Sequence, residues 1–211
     1  MAELSVERLS LRFGGLTVLT EVSLHVEAGE LLALIGPNGA GKTSVLNCIS
    51  GIYRGSGAIR FRNEDIAGRA PHEIARLGLA RTFQVPLTFE SMSVLDNATI
   101  GALLRHANAG EARAKAREVL QRVGLGHVID APAKSLGTPG RKRLEIARAL
   151  ASEPKALLLD EAMAGLTPTE VRDAIELVRR IHGGGITIVI VEHLMEVIVS
   201  LAHGPSSVPK R

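Results

Sequence analysis

Hydrophobic and polar positions alternate in short runs through the first part of the chain, residues 4–35. Val22, Leu24 and Val26 fall on one face of a predicted half-buried strand, and Ala28-Gly29-Glu30 closes it with a turn. The pattern then changes. Leu31-Leu32-Ala33-Leu34-Ile35 is apolar at every position, as expected of a strand covered on both faces in a parallel sheet. A glycine-rich turn comes next, and residues 43–50 read as a helix. Residues 57–62 predict a further short strand and residues 71–79 a helix. From about residue 93 to 123, Ala, Leu, Glu and Arg dominate with little strand signal, so residues 87–143 are expected as a mainly helical lobe inserted into an α/β core. A helix over 142–151 leads to a strand at 156–159, and a helix over 169–181 leads through Gly183-Gly184-Gly185 to a strand at 186–191. This alternation predicts an α/β fold with a doubly wound, mainly parallel sheet and a small antiparallel β portion.

Composition narrows the class. With 211 residues, 45% of them hydrophobic, the chain can bury a sizeable core, which excludes a disordered protein. No apolar stretch approaches the roughly 20 residues needed to cross a bilayer, and Glu3, Glu7 and Arg8 stand where a signal peptide would be apolar. A soluble, cytosolic chain is expected. Cys48 is the single cysteine, between apolar neighbours, so a packed thiol is expected and no intrachain disulfide can form. A net charge of +3 and an aromatic content of 2% argue against a nucleic-acid surface, and the basic cluster Arg141-Lys142-Arg143 reads as a solvated helix face.

The strongest chemical signal is Gly36-Pro37-Asn38-Gly39-Ala40-Gly41-Lys42-Thr43, followed by Ser44. It is a complete GxxxxGK[ST] P-loop between a predicted strand and a predicted helix. Its glycines let successive N–H groups turn toward phosphates, and the helix N-terminus adds a positive dipole. Lys42 is suited to the β and γ phosphates of ATP, and Thr43 offers a hydroxyl to Mg²⁺. The second signal is Leu157-Leu158-Leu159-Asp160-Glu161, an apolar strand ending in two acids. A carboxylate at such a strand tip can hold Mg²⁺ through its water shell, the role read for Asp160. Glu161 can polarise the attacking water, a contribution of about 10²- to 10⁴-fold in rate.

With these motifs the chain resembles the ATP-binding-cassette family, and the resemblance covers essentially the whole sequence. It implies that Phe13 stacks on adenine and that Gln84, in Arg81-Thr82-Phe83-Gln84, contacts Mg²⁺ and the attacking water where core and helical lobe join. It also makes His193 a switch residue reaching the γ-phosphate. Phe13-Gly14-Gly15-Leu16, Ala80-Arg81-Thr82-Phe83-Gln84 and Leu144-Glu145-Ile146-Ala147-Arg148-Ala149-Leu150 further resemble the ATP-binding subunits of bacterial branched-chain amino acid transporters. That resemblance implies an importer with transmembrane permease subunits, a second ATP-binding subunit in a homo- or heterodimer and a periplasmic binding protein. The chain would lie on the inner face of the cell membrane, with the segment 85–93 receiving a coupling helix of the permease. The expected organisation is one cassette over 1–211: a nucleotide-binding core at 1–86 and 144–203, the lobe at 87–143, and a frayed tail at 204–211.

The sequence departs from the family's pattern in four places. Where the signature loop belongs stands Ser135-Leu136-Gly137-Thr138-Pro139-Gly140-Arg141; Pro139 occupies the glycine's place and lacks its N–H. Ser135 and Gly140 are the remaining candidates there for contacting the ATP of an opposite subunit. Ala162 stands for a usual proline and Thr167 for a usual aspartate. The family continues for several tens of residues past a helix over 194–202, whereas this sequence ends at Arg211, so one flank of the sheet is expected to lack cover. Three other readings compete. A soluble cassette for DNA repair or translation would need a nucleic-acid surface, and a P-loop kinase would leave Gln84 and His193 unexplained. A degenerate module without turnover would be favoured by Pro139 and the short tail, and opposed by intact Lys42, Asp160, Glu161, Gln84 and His193.

Overall fold

The structure is a computed structural model that describes residues 2–202; the predicted tail at 204–211 lies outside them. Two four-stranded sheets organise the chain. The first is antiparallel and takes β1 (Ala2–Phe13), β2 (Leu16–Glu27), β4 (Ser56–Phe61) and β5 (Glu64–Asp65) in the order β2-β1-β4-β5. The second is parallel and takes β3 (Leu31–Leu34), β6 (Leu79–Arg81), β7 (Ala156–Asp160) and β8 (Thr187–Val191) in the order β3-β8-β7-β6. Around them lie α1 (Lys42–Ile49), α2 (Pro71–Leu77), α3 (Val94–Ala102), α4 (Ala109–Arg122), α5 (Thr138–Ala151), α6 (Pro168–Gly183) and α7 (Met195–Ala202).

The apolar runs of β7 and β8 are buried at every position, and their alternation divides the interior in two. Leu157, Leu159, Ile188 and Ile190 face one cluster with α3, α4, α5 and α6. Ala156, Leu158, Val189 and Val191 face the other, with α1 and the antiparallel sheet. A fully buried Leu, Ile or Val contributes about 1.5–3 kcal/mol, so these two strands are the common wall of both cores. Cys48 is a packed thiol of the second cluster, and burial pushes its pKa up.

Three expectations change. β3, read as buried on both faces, is only half-buried, because among the described residues it hydrogen-bonds β8 alone and forms the sheet's outer strand. The predicted helix over 71–79 ends at Leu77, where Gly78 takes φ 107, and Leu79–Arg81 turns into β6. Helix α5 begins at Thr138, not at residue 142, so the expected lobe boundary at 143 falls inside one helix. Pro139 sits in its first turn, where a backbone N–H has no intrahelical partner in any case. Thr167 caps α6: its side chain accepts from Glu170 N while the Glu170 carboxylate accepts from Thr167 N at 2.8 Å. Threonine at this position thus still supplies a complete capping box.

Candidate active site

The turn from β3 into α1 borders a cleft of about 490 Å³. Residues 38–44 line it, joined by Val18 from β2, Gln84 and Glu161. Gly41 is the N-cap of α1 at φ 85. A Cβ there would lie 2.6 Å from Leu19 Cδ2 and 3.2 Å from Val18 O, so both conformation and space require glycine. Lys42 Nζ donates to Gly36 O at 2.7 Å and Pro37 O at 2.9 Å, which folds the ammonium back over its own loop.

Beneath the loop, Thr43 Oγ1 donates to Asp160 Oδ1 at 3.1 Å. The other carboxylate oxygen of Asp160 pairs with the Arg81 guanidinium at 3.2 Å, with both side chains almost wholly buried. Arg81 also donates to Asn47 Oδ1 at 2.7 Å and Ser50 Oγ at 2.9 Å, both beside it on α1 and its C-cap, and lies 4.4 Å over the Phe83 ring. One guanidinium therefore ties β6 and α1 to the strand tip and fixes which oxygen of Asp160 faces Thr43. Burial raises the Asp160 pKa, against the lowering influence of the Thr43 bond and of Arg81.

Glu161 occupies the first position after β7 at φ 47, a conformation uncommon outside glycine and concentrated at functional sites. Its carboxylate accepts from Gln84 Nε2 at 2.7 Å, which brings together two residues predicted from distant parts of the sequence. The backbone of the turn is held as well. Glu161 N donates to Val191 O at 3.0 Å, Lys142 Nζ donates to Glu161 O at 3.0 Å, and Met163 N donates to Glu192 Oε1 at 3.0 Å.

The other candidates lie elsewhere. Phe13 does not line the cleft; it is 48% exposed and packs edge-on against Tyr53 with centroids 5.1 Å apart. His193 is exposed just beyond β8 and is not among the residues lining the cleft. Ser135 donates to Pro132 O within the lobe, and Gly140 sits against Leu136 in the first turn of α5. Neither meets this chain's own P-loop cleft. Sequence reasoning missed Val18, Arg81, Lys142 and Glu192. Arg81 stood inside a motif already singled out, but a charge three residues from Gln84 gives no sign of pointing inward. Lys142 corrects the reading of Arg141-Lys142-Arg143 as a solvated face: its flanking arginines are partly exposed, whereas Lys142 itself is turned under the β7–α6 turn and is 7% exposed.

A sequence profile described as ABC transporter matches residues 19–164, more than half of the chain and the span that holds the P-loop, Gln84, Asp160 and Glu161. The chain belongs to the ABC transporter family. This cassette is 36% identical over 212 residues to the probable branched-chain amino acid transport ATP-binding protein LivG of Archaeoglobus fulgidus, covering 94% of this chain and 82% of that protein. It is also 36% identical over 217 residues to the high-affinity branched-chain amino acid transport ATP-binding protein BraF of Pseudomonas aeruginosa, covering 94% and 85%. Among solved structures, a nucleotide-free ATP-binding cassette from an ABC transporter matches with TM-score 0.85 at 31% identity, over 94% of this chain and 84% of that one. An ATP-binding cassette in its ADP conformation matches with TM-score 0.84 at 32% identity, again over 94% and 84%. The cassette is an ATP-binding subunit and ATP hydrolase of the ABC transporter type.

Proposed function

We propose that this cassette powers a membrane importer of branched-chain amino acids or related small compounds. It works as one of two ATP-binding subunits, peripheral on the inner face of the cell membrane, beneath transmembrane permeases fed by a periplasmic binding protein. Among the described residues no helix is long and apolar enough to cross a membrane, so passage belongs to the permeases. Similarity over 94% of the chain to LivG and BraF supports the substrate class. The observation that carries the motor reading is the 2.7 Å bond between Gln84 and Glu161. It joins the carboxylate facing the P-loop to the start of an exposed segment at 85–93.

The residues fit ATP hydrolysis step by step. Backbone N–H groups of residues 38–41 and the Lys42 ammonium hold the phosphates, and Phe13, outside the cleft and packed on Tyr53, keeps a half-exposed ring for adenine. Thr43 Oγ1 and the Asp160 carboxylate, 3.1 Å apart, are hard oxygens that suit a Mg²⁺ retaining part of its water shell, with Gln84 nearby. When bound, that ion neutralises charge on the β and γ oxygens. Glu161 takes a proton from the attacking water. The water oxygen bonds to the γ-phosphorus as the bond to the bridging oxygen breaks, leaving ADP and phosphate. His193 reaches the γ-phosphate, and Ser135 and Gly140 reach the partner subunit's nucleotide, only when two subunits close. Closure is driven because phosphate contacts are stronger in the closed pair than in the open one.

The permease seat is an apolar cleft of about 320 Å³ between the core and the helical lobe, lined in part by Ile52, Ile74, Phe83, Ile100 and Leu104. Val85, Leu87 and Phe89 stand exposed beside it. The segment bearing them is pinned by Glu145 Oε1, which accepts from Phe83 N and Leu87 N, and by buried Asn97, which bonds Phe89 N and O. Reconstitution of the cassette with its permeases, partner subunit and binding protein in vesicles tests the whole reading through ATP-dependent uptake of labelled leucine. Uptake should occur with wild type and vanish in Glu161→Gln while ATP binding persists. ATP turnover without uptake of leucine, isoleucine or valine would sink the substrate class, and equal turnover in Glu161→Gln would remove Glu161 from its role.

A further inference from the structure

Lys142 and Glu192 are buried ionisable side chains that the hydrolysis chemistry does not use. Lys142 lies on α5, in the turn after its N-cap Gly137, and Glu192 directly precedes His193. Both close on the turn that carries Glu161. The Lys142 ammonium donates to the Glu161 carbonyl at 3.0 Å, and Glu192 Oε1 accepts from Met163 N at 3.0 Å. The turn is thus gripped at a C=O by a buried cation and two residues later at an N–H by a fully buried anion. Glu192 Oε2 has no hydrogen-bond partner, and Glu192, Glu145 and Glu161 are the carboxylates whose charges act on Lys142.

A structural ion pair alone would not need this arrangement. Had the two charges served only each other, Met163 N would be left for water and the Glu161 carbonyl would keep only its 3.1 Å bond from Ala164 N. Here they are directed at the peptide groups on either side of Ala162. Glu161 itself holds φ 47, a left-handed conformation that persists in a non-glycine residue only when its surroundings over-determine it. Its carbonyl accepts from Lys142 and from Ala164 N, its N–H donates to Val191 O, and its carboxylate meets Gln84 at 2.7 Å.

We infer that Lys142, with Glu192 as its counter-charge, is a positioning residue that clamps the β7–α6 turn so that the Glu161 carboxylate faces the P-loop cleft. This rests on the reading of Glu161 as the residue that activates water. Lys142 does not line the P-loop cleft and acts through the peptide of Glu161. Its loss should slow the chemical step without weakening ATP binding, since a displacement of about 1 Å at a reacting group can cost about 100-fold.

The test uses the full chain, with the partner subunits that support its turnover, as Lys142→Met, Lys142→Arg, Glu161→Gln and the double variant Lys142→Met/Glu192→Met. The double variant removes both buried charges together and so avoids the uncompensated charge that a single substitution leaves. Steady-state kcat and KM, binding of a fluorescent ATP analogue and melting temperature are measured for each. The expected result is a fall in kcat of about 10- to 100-fold in Lys142→Met and in the double variant, with KM and analogue affinity within about twofold of wild type. Lys142→Arg should recover most of the rate, because a guanidinium can still donate to the Glu161 carbonyl. Wild-type kcat in a folded double variant overturns the clamp. So does a parallel loss of kcat, affinity and melting temperature that Lys142→Arg does not rescue. Wild-type turnover in Glu161→Gln instead overturns the role of Glu161, whatever Lys142 does, so the two failures are distinguishable.

Discussion

Lys42 shows how a site can be shaped for a ligand by its own backbone. Its ammonium rests on Gly36 O and Pro37 O, and phosphate oxygens offer the same ammonium a charge-assisted alternative. Lys42→Ala should therefore weaken ATP binding by about 1.5–3 kcal/mol, or roughly 10- to 150-fold in Kd, in a titration with a fluorescent ATP analogue; an unchanged Kd would remove Lys42 from the phosphates. The Lys142 and Glu192 pair behaves differently. Burial comes first among the causes that lower the Lys142 pKa and raise that of Glu192, so the fold disfavours both charged forms. For Glu192 the sign is direct. Its folded pKa lies above its ordinary 4.5, so its contribution to stability is fully present below 4.5 and is lost as pH rises through the folded value. Lys142→Met/Glu192→Met should accordingly be relieved of two buried charges at pH 7, an advantage set against about 1–3 kcal/mol for leaving Met163 N unpaired, so its melting temperature should stay near that of wild type. That advantage should shrink as pH is lowered toward 4.5. A double variant clearly less stable at pH 7 would show that the pair stabilises the fold outright. Among single residues, legibility tracked motif membership: the P-loop, Asp160 and Glu161 could be named because spacing carries their chemistry, and Gln84 only because its motif resembles one of the family. Arg81, Lys142 and Glu192 act through partners brought close only by folding, and no local pattern distinguishes a buried lysine from a solvated one.

At the level of elements, β7 and β8 were readable because total burial leaves an unbroken apolar run, and α6 because Val171, Ile175 and Val178 recur at helical spacing on a capped helix. The three residues of β6 were hidden, since a strand so short shows no alternation and comes straight after a helix without a loop. The apolar run of β3 misled in the opposite sense. Its side chains are those of a central strand, yet its place at the sheet's edge is set by strand order, which composition does not encode. Gly101 is another residue whose meaning appears only in the packed elements. It lies in α3, where a Cβ would stand 2.0 Å from Arg148 O of α5. A glycine within a helix costs up to roughly 1 kcal/mol against alanine, and Gly101 lies in the last turn of α3, so propensity alone would suggest that Gly101→Ala stabilises. Backbone contact between the helices reverses the sign. Opening the crossing should cost about 1–3 kcal/mol, more than the propensity gain in most of that range, and lower the melting temperature by a few degrees. A higher melting temperature for Gly101→Ala would show that α3 and α5 separate freely.

For the whole molecule, the arrangement that matters is two clefts sharing one wall. Residues 38–44 of the P-loop line one cleft, and Arg81, which lines the apolar cleft between core and lobe, holds Asp160 beneath that loop. Phe83 lines the same cleft, and the next residue, Gln84, touches Glu161. A helix seated there would press on the two residues that lead to Asp160 and to Glu161, which is the link the proposed motor requires. Ile100 separates this coupling from the chemistry. It lines the apolar cleft from α3, is 37% exposed, and contributes nothing to the P-loop cleft. Ile100→Glu places a charge where a permease helix would have to strip its water, a cost large enough to exclude the helix, while the free subunit keeps that charge hydrated. Basal ATP turnover, analogue affinity and melting temperature should stay near wild type, whereas stimulation of turnover by the permeases and leucine uptake should both be lost. If stimulation survives in Ile100→Glu, the permease is seated elsewhere, and the exposed segment bearing Val85, Leu87 and Phe89 becomes the contact to alter next. If basal turnover falls as well, the two clefts are not separable and the wall between them is part of the catalytic machinery.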